Sequence, residues 1–198
     1  MEDRFTYGAF ILAGGKSSRM GTDKGLMDFR GKKMIEHVLD ASSSIQDLNI
    51  ISNNEAYRQF GKRVYPDIYK NCGPLGGIHS GIYNSKSDWN LAITCDLPFV
   101  TWDFIFFLLK KIHGNPFDAI VPVHDGKVEP LCALYYKYCL PKIEAMIQKK
   151  ELKMQTVLEK LNTMYVEVPK DRFDASLLFR NMNSLSDLSA SDLPQRTS

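Results

Sequence analysis

A glycine-rich segment with hydroxyl and basic side chains directly follows an apolar stretch near the amino terminus. It reads LAGGKSSRMGTDKG and covers residues 12–25. Gly14 and Gly15 lack a Cβ atom, so the chain can adopt positive φ there and bring backbone N–H groups close to a ligand. Three cations add positive charge to the turn: Lys16, Arg19 and Lys24. This composition is typical of a site that binds phosphate oxygens.

The segment matches neither of two common phosphate-binding motifs. A Walker A loop has a Gly-Lys pair followed by Ser or Thr at a fixed distance from a first glycine, and residues 15–21 lack that pattern. The dinucleotide fingerprint Gly-x-Gly-x-x-Gly is also missing. We interpret the segment as a different type of phosphate loop, and the alternative is a surface turn with solvated lysines.

Two aspartates and a second glycine cluster follow other apolar segments. Asp96 comes after NLAIT at 90–94 and is suited to Mg²⁺, which takes one or two carboxylates and completes its shell with waters and phosphates. Asp67 could accept hydrogen bonds from a base or ribose. GPLGG at 73–77 could place an anion or a ring edge at a helix N-terminus. The alternatives are a cap or a structural turn at each position.

Strand-like apolar segments alternate with helical patterns along the first two thirds of the chain. The strand-like segments are 5–13, 45–53, 62–67, 90–96 and 117–125. The helical patterns are 32–42, 54–62, 73–86 and 101–114. This alternation predicts an α/β fold, with a mostly parallel sheet and helices on both faces. Ligands bind beyond the carboxyl ends of such strands, so the loops that contain these glycines and aspartates should converge on one site.

The last third of the chain extends the same architecture. A strand is predicted at 127–137, helices at 139–150 and 154–161, and a further strand at 163–169. No repeat and no linker rich in Gly, Ser or Pro is present. We therefore expect one domain over residues 1–198, with a frayed tail at 189–198.

Composition argues against several functional classes. The net charge is +2, from 25 basic and 23 acidic residues, without a long block of like charge, so a nucleic-acid partner is not expected. The longest apolar run, at 104–109, is too short to cross a bilayer. The four cysteines show neither C-x-x-C spacing nor the density of a secreted scaffold. With no signal-peptide pattern, we expect a cytoplasmic protein without a membrane partner.

The quoted segments resemble the molybdenum cofactor guanylyltransferases, the molybdopterin-guanine dinucleotide biosynthesis protein A family. Their signature is L-A-G-G-x-S-x-R-M-G-x-D-K, followed by a short strand, a Gly-Lys turn and a helix. The similarity continues through GPLGGIHSGI, CDLPFV and DGKVEPLCALY to NMNSLSDL, and so spans residues 8–188. The first signature is shared with cytidylyl-, uridylyl- and other nucleotidyltransferases, whereas the later segments favour the molybdopterin branch.

The resemblance implies a three-layer Rossmann-like nucleotidyltransferase fold and transfer of GMP from GTP to Mo-molybdopterin, with release of pyrophosphate. The catalytic residues it implies are Arg19, Lys24 and Asp96, and Asp96 is also the implied Mg²⁺ ligand. The nucleotide-binding residues it implies are Leu12, Ala13, Gly14, Gly15, Lys24, Asn53, Asp67 and Asp96. At the end of the second strand the contact is either Ser52 or Asn53.

Other functions fit the same motifs. A molybdopterin cytidylyltransferase or a sugar-phosphate nucleotidyltransferase would use the same phosphate chemistry, because base choice depends on hydrogen bonds to a ring edge. A non-catalytic protein that delivers cofactor would keep the glycines and cations. Molybdoenzymes or their chaperones are the partners that the resemblance suggests. The four histidines lack metal-ligand spacing, although His79 could approach the site from the segment after GPLGG.

Overall fold

The computed structural model describes residues 5–14, 23–112 and 117–182. The expectations for Gly15, Lys16, Arg19 and the tail from residue 189 therefore lie outside the described residues. None of the helices within these ranges is both long and apolar enough to span a membrane.

Ten strands occur in the described part of the chain. In chain order they are Tyr7–Leu12 (β1), Asp28–Phe29 (β2), Lys32–Lys33 (β3), Leu48–Ile51 (β4), Arg63–Tyr65 (β5), Trp89–Thr94 (β6), Ala119–His124 (β7), Lys127–Val128 (β8), Cys132–Tyr136 (β9) and Thr163–Glu167 (β10). The main sheet has the order β10-β7-β9-β6-β1-β4-β5, with β8 paired to β7, whereas β2 and β3 form a separate hairpin. Only β8 and β9 run antiparallel to their neighbours in the main sheet.

Six α-helices and three 3-10 helices accompany these strands in the same ranges. The α-helices are Met34–Ala41 (α1), Gly73–Asn84 (α2), Trp102–Leu109 (α3), Leu140–Gln148 (α4), Met154–Lys160 (α5) and Ala175–Leu178 (α6). The 3-10 helices are Lys24–Leu26, Glu55–Phe60 and Lys137–Cys139.

The core lies on both faces of the sheet because successive strand side chains point to opposite sides. In β1, Ala9 and Ile11 belong to a buried cluster that includes side chains of α1 and α3. Phe10, between them, belongs to a second cluster with side chains of α2, α4 and α5. This three-layer arrangement confirms the predicted α/β class.

The clearest difference between the structure and the sequence-based prediction is at residues 127–137, where one strand was expected. It is divided into β8 and β9, and Pro130 between them has no N–H to donate to a ladder. Instead of extending one strand, residues 125 and 126 form a turn that brings β8 back against β7. The segment predicted as a helix at 54–62 folds as the 3-10 helix Glu55–Phe60.

Helix α2 lies very close to β1 because it carries glycines on the contacting side. An added Cβ on Gly81 would overlap the ring of Phe10, and one on Gly77 would lie 2.8 Å from a methyl carbon of Leu12. An added Cβ on Gly76 would lie 2.8 Å from the backbone oxygen of Tyr69. The GPLGG segment thus serves helix packing, with Gly73 at its start having φ of 59°.

Gly81→Ala should lower the free energy of unfolding by about 1–2 kcal/mol, because overpacking costs about 1–3 kcal/mol and improved helix propensity returns up to about 1. Urea unfolding measures this loss. In a Phe10→Leu background the ring is absent, so the same substitution should cost less. An equal loss in both backgrounds would show that contact with Phe10 is not the cause.

Candidate active site

The carboxyl ends of four parallel strands meet at one edge of the sheet. Strand β1 pairs with both β4 and β6, and β4 pairs with β5. Three backbone hydrogen bonds continue the pairing beyond the strand ends: Ala13 N to Ile51 O at 2.9 Å, Cys95 N to Leu12 O at 3.0 Å and Ser52 N to Tyr65 O at 2.9 Å. The described parts of the three predicted loops therefore converge, as the parallel-sheet argument requires.

Gly14 leaves β1 in a conformation that favours glycine. Its φ is 112°, and an added Cβ would lie 3.5 Å from Ser52 Oγ. Upstream, the carbonyl of Leu12 and the N–H of Ala13 already serve sheet pairing. Gly14 is therefore the position at which the chain leaves the sheet at the start of the glycine-rich segment.

The choice between Ser52 and Asn53 has a structural basis. Ser52 is 5% exposed, and its hydroxyl accepts a hydrogen bond from the backbone N–H of Asn54 at 3.1 Å. Asn53 is exposed and faces Asp67 from the neighbouring loop. Asn53 Nδ2 donates to Asp67 Oδ2 at 2.9 Å, and Asp67 N donates to Asn53 Oδ1 at 3.2 Å. Asn53 is thus the more accessible of the two side chains, and its contact with the nucleotide stays a prediction.

Asp67 is partly buried at the end of β5. Burial raises the pKa of its carboxyl above the ordinary value, and the hydrogen bond from Asn53 opposes that rise. A carboxylate in this position can accept hydrogen bonds from paired N–H donors on a ring edge, which would replace lost solvation.

Asp96 lies just after β6 at the centre of the edge. Thr94 Oγ1 donates to Asp96 Oδ1 at 2.8 Å, and the backbone N–H of Met182 donates to the Asp96 carbonyl at 3.2 Å. No group of three or more His, Cys, Asp or Glu side chains that could hold a metal occurs in the described ranges. A single anchored carboxylate fits Mg²⁺, which takes its other ligands from water and substrate phosphates, better than it fits a structural metal.

Lys24 follows the phosphate loop and begins the 3-10 helix that ends at Leu26. Asp23 caps this helix by accepting a hydrogen bond from the backbone N–H of Gly25 at 3.2 Å. An added Cβ on Gly25 would lie 3.1 Å from the sulfur of Cys95. Gly25 and Cys95 are therefore in close contact. Lys24 directly precedes Gly25 in the chain, and Asp96 directly follows Cys95.

Sequence reasoning missed the side chains that hold Asp23. Tyr57, from the 3-10 helix after β4, donates a hydrogen bond to Asp23 Oδ1. Asn54 Nδ2 donates to Asp23 Oδ2 at 3.0 Å. The only available sequence signal was an Asn that could begin a helix, because the partner lies 31 positions away.

Cys95 is a packing residue and not a nucleophile. Burial, with the nearby charges of Asp96 and Asp23, raises the pKa of its thiol to about 12. The thiol therefore stays protonated at neutral pH, and thiolate is the reactive form. All four cysteines are free, and Cys132 and Cys139 are also buried.

His79 packs between α2 and α4. It is 1% exposed, and its Nε2 lies 3.0 Å from Glu144 Oε1 on α4. The ring of Tyr69 contacts it edge-on, at a centroid distance of 4.8 Å. These contacts support the packing role and do not bring His79 to the strand ends.

The family model for the MobA-like NTP transferase domain matches residues 9–164. The chain belongs to this family. Its match begins in β1 and ends in β10, so it includes every strand that contributes to the edge described above. Membership identifies the chain as a nucleotidyltransferase.

Individual relatives agree with this assignment. The chain is 40% identical over 136 residues to the "Probable molybdenum cofactor guanylyltransferase" of Clostridium perfringens (strain 13 / Type A), an alignment that covers 66% of each chain. It is 33% identical over 184 residues to the protein of the same name from Flavobacterium johnsoniae, covering 92% of this chain and 95% of that one.

A solved structure extends the likeness to three dimensions. The molybdopterin-guanine dinucleotide biosynthesis protein A from Archaeoglobus fulgidus superposes with a TM-score of 0.78 at 29% identity, covering 91% of this chain and 94% of that one. The Rossmann-like nucleotidyltransferase fold predicted from the sequence is thereby confirmed.

Asp67→Asn should raise the free energy of unfolding at neutral pH, because it removes a carboxylate whose ionised form is disfavoured by burial. The pKa of Asp67 is higher in the folded protein than the unfolded value of 3.8. The carboxyl therefore does not oppose folding below pH 3.8, and it destabilises the folded state as the pH rises through the folded-state pKa. The gain should therefore disappear in acid. Urea unfolding at neutral pH and below 3.8 measures it.

Asp88→Asn is the control of opposite sign. The hydrogen bond from Lys137 lowers the pKa of Asp88 to about 2, so this variant should lose stability at neutral pH. That loss should shrink as the pH falls from 3.8 toward about 2. If Asp67→Asn also lost stability at neutral pH, favourable contacts of the carboxylate would outweigh its burial.

Proposed function

We propose that the protein transfers GMP from GTP to the terminal phosphate of Mo-molybdopterin, forming the molybdopterin guanine dinucleotide cofactor and releasing pyrophosphate. The observation that carries the proposal is the convergence of Gly14, Asn53, Asp67 and Asp96 at one sheet edge in a chain of this family. Lys24 joins them through its chain neighbour Gly25, which packs on Cys95, the residue before Asp96. The guanylyltransferase names of the relatives support the choice of nucleotide and acceptor.

The reaction is an in-line displacement at the α-phosphorus of GTP. An oxygen of the acceptor phosphate forms the new P–O bond, the bond between the α- and β-phosphates breaks, and pyrophosphate leaves with the electron pair. A phosphate monoester is already ionised at neutral pH, so no strong general base is needed. Positioning and charge neutralisation can supply most of the acceleration.

Each residue has a separate task in this proposal. Gly14 directs the phosphate loop toward the triphosphate, while Lys24 and Arg19 neutralise charge on the α-phosphate and on the departing pyrophosphate. Asn53 and Asp67 face the nucleoside. Asp96 holds Mg²⁺, which when bound would polarise phosphate oxygens and fix their orientation.

Guanine suits the Asn53 and Asp67 pair. Its ring edge presents two adjacent N–H donors, and a carboxylate can accept both. The same edge of cytosine begins with one donor followed by acceptors, which would leave the partly buried carboxylate less well satisfied. The mutual hydrogen bonds of the pair hold it in place before the nucleotide arrives.

The wider role follows from the product. We propose that the protein acts in the cytoplasm and that molybdoenzymes or their chaperones receive the dinucleotide cofactor from it. These recipients would need access to the same sheet edge, because the product is formed there.

The purified protein should release pyrophosphate from GTP only when Mg²⁺ and molybdopterin are both present. Pyrophosphate release and chromatography of the dinucleotide product measure this activity with GTP, CTP and UTP in parallel. Faster turnover of CTP would assign the chain to a cytidylyl activity. Binding of nucleotide without any pyrophosphate release would contradict the enzymatic proposal.

Asp96→Asn should reduce kcat far more than it weakens GTP binding, because the metal ligand acts mainly on charge that develops in the transition state. A loss of one preorganised interaction of this kind costs about 3–4 kcal/mol. Asp103→Asn is the matched control, since Asp103 is an exposed residue in the first turn of α3. Equal activity of Asp96→Asn and the control at saturating Mg²⁺ would remove Asp96 from the mechanism.

A further inference from the structure

Tyr57 is a completely buried tyrosine whose hydroxyl reaches Asp23, the residue before Lys24. It is 0% exposed, and its ring belongs to the main core cluster. Its O–H donates to Asp23 Oδ1, and the thiol of Cys95 lies beside it. A buried hydroxyl needs a partner, and here that partner is the residue directly before Lys24.

Asp23 accepts three hydrogen bonds, which fix the position of the backbone around Lys24. The donors are Tyr57 O–H, Asn54 Nδ2 at 3.0 Å and Gly25 N at 3.2 Å. Because Gly25 N is also the capped N–H of the 3-10 helix, the carboxylate fixes the backbone at the start of that helix. Lys24 lies between the carboxylate and the capped N–H.

Gly25 has no Cβ, and this allows the backbone beside Lys24 to approach Tyr57 and Cys95 closely. An added Cβ there would collide with Tyr57 Oη and lie 3.1 Å from Cys95 Sγ. The backbone beside Lys24 is therefore packed directly on the tyrosine hydroxyl and on the residue before Asp96. Two parts of the proposed site, one from the β1 loop and one from the β6 loop, meet at this contact.

Asn54 connects the same cluster to the loop after β4. Its Oδ1 accepts from Ala56 N at 3.0 Å, and its own N–H donates to Ser52 Oγ at 3.1 Å. Ser52 in turn lies next to Gly14. The cluster of Asp23, Asn54 and Tyr57 thus ties the loop after β1 to the loop after β4, and the thiol of Cys95 beside Tyr57 adds the loop after β6.

We infer that Tyr57 is a positioning residue for the nucleotidyl transfer, acting through Asp23 to hold Lys24 in register with Asp96. This inference rests on the proposed function, because it assigns Lys24 a role in neutralising charge on the reacting phosphates. Tyr57 itself is fully buried, so it would act on the reacting phosphates only through Asp23 and Lys24. Small misplacements of a catalytic group can cost about 100-fold in rate.

Tyr57→Phe should lower kcat by about 10- to 100-fold with little change in the KM for GTP, because it loosens Lys24 without removing a substrate contact. The decisive measurement is a double-mutant cycle with Lys24→Ala. If Tyr57 acts through Lys24, Tyr57→Phe costs no further activity in the Lys24→Ala background. Equal fold-losses in both backgrounds, or a wild-type kcat in Tyr57→Phe, would overturn the inference.

Tyr135→Phe is the matched control. Tyr135 is also 0% exposed and also donates one hydrogen bond, to the Pro130 carbonyl at 2.9 Å. The two variants should lose similar stability, whereas only Tyr57→Phe should lose kcat. Asp23→Asn tests the same link at a partly exposed position if Tyr57→Phe fails to fold, and it should show the same non-additivity with Lys24→Ala.

A second measurement separates this inference from the proposed function. Reductive ¹³C-methylation labels lysines for NMR, and the Lys24 signal is assigned by its loss in Lys24→Arg. That signal should shift in Tyr57→Phe and stay unchanged in Tyr135→Phe. An unchanged signal in Tyr57→Phe would overturn the positioning role, while a wild-type protein that transfers no GMP would refute only the proposed function.

Discussion

The parallel pairing of β1 with both β4 and β6 is the constraint on which the rest of the site depends. Leu12 lies opposite Ile51 on one side and Thr94 on the other. The three chains therefore leave the sheet at the same level, and the residues that follow them meet without any further adjustment. A shift of register by one residue in either pair would displace Gly14 from Ser52 or from Cys95 and would also exchange the faces that the strand side chains occupy.

Close backbone approach is the second requirement, and glycines meet it on both sides of the edge. Gly81 and Gly77 allow α2 to pack against β1. Gly25 allows the 3-10 helix Lys24–Leu26 to pack against Tyr57 and Cys95. Hydrogen bonding then fixes what packing has brought together. Asp23 accepts from Tyr57, Asn54 and Gly25, so its carboxylate holds the backbone at the start of that helix in place.

Local pattern was enough to predict the strands of three or more residues, most α-helices and the edge at which the strands would meet. Apolar runs followed by Gly14, Asp67 or Asp96 carry this information within a few residues, because strand alternation and turn chemistry are local properties. The division of 127–137 into two strands was missed, although Pro130 marks the place, because its consequence depends on pairing with β7. The Tyr57 to Asp23 bond joins positions 34 apart and has no local signature.

The packing role of GPLGG shows the same limit. Its glycines suggested a ligand contact, which stays a prediction, and the structure adds that Gly76 and Gly77 pack against Tyr69 and Leu12, which only the folded chain places beside them. Ser52 and Asn53 could not be separated from sequence because both follow β4, whereas burial distinguishes them at once.

Isothermal titration of the purified protein with GTP and with CTP, each with excess Mg²⁺, tests the central claim most directly. The account predicts that GTP binds with a clear preference, because Asn53 and Asp67 present acceptors to the donor edge of guanine. Equal binding of the two nucleotides, or a preference for CTP, would contradict it.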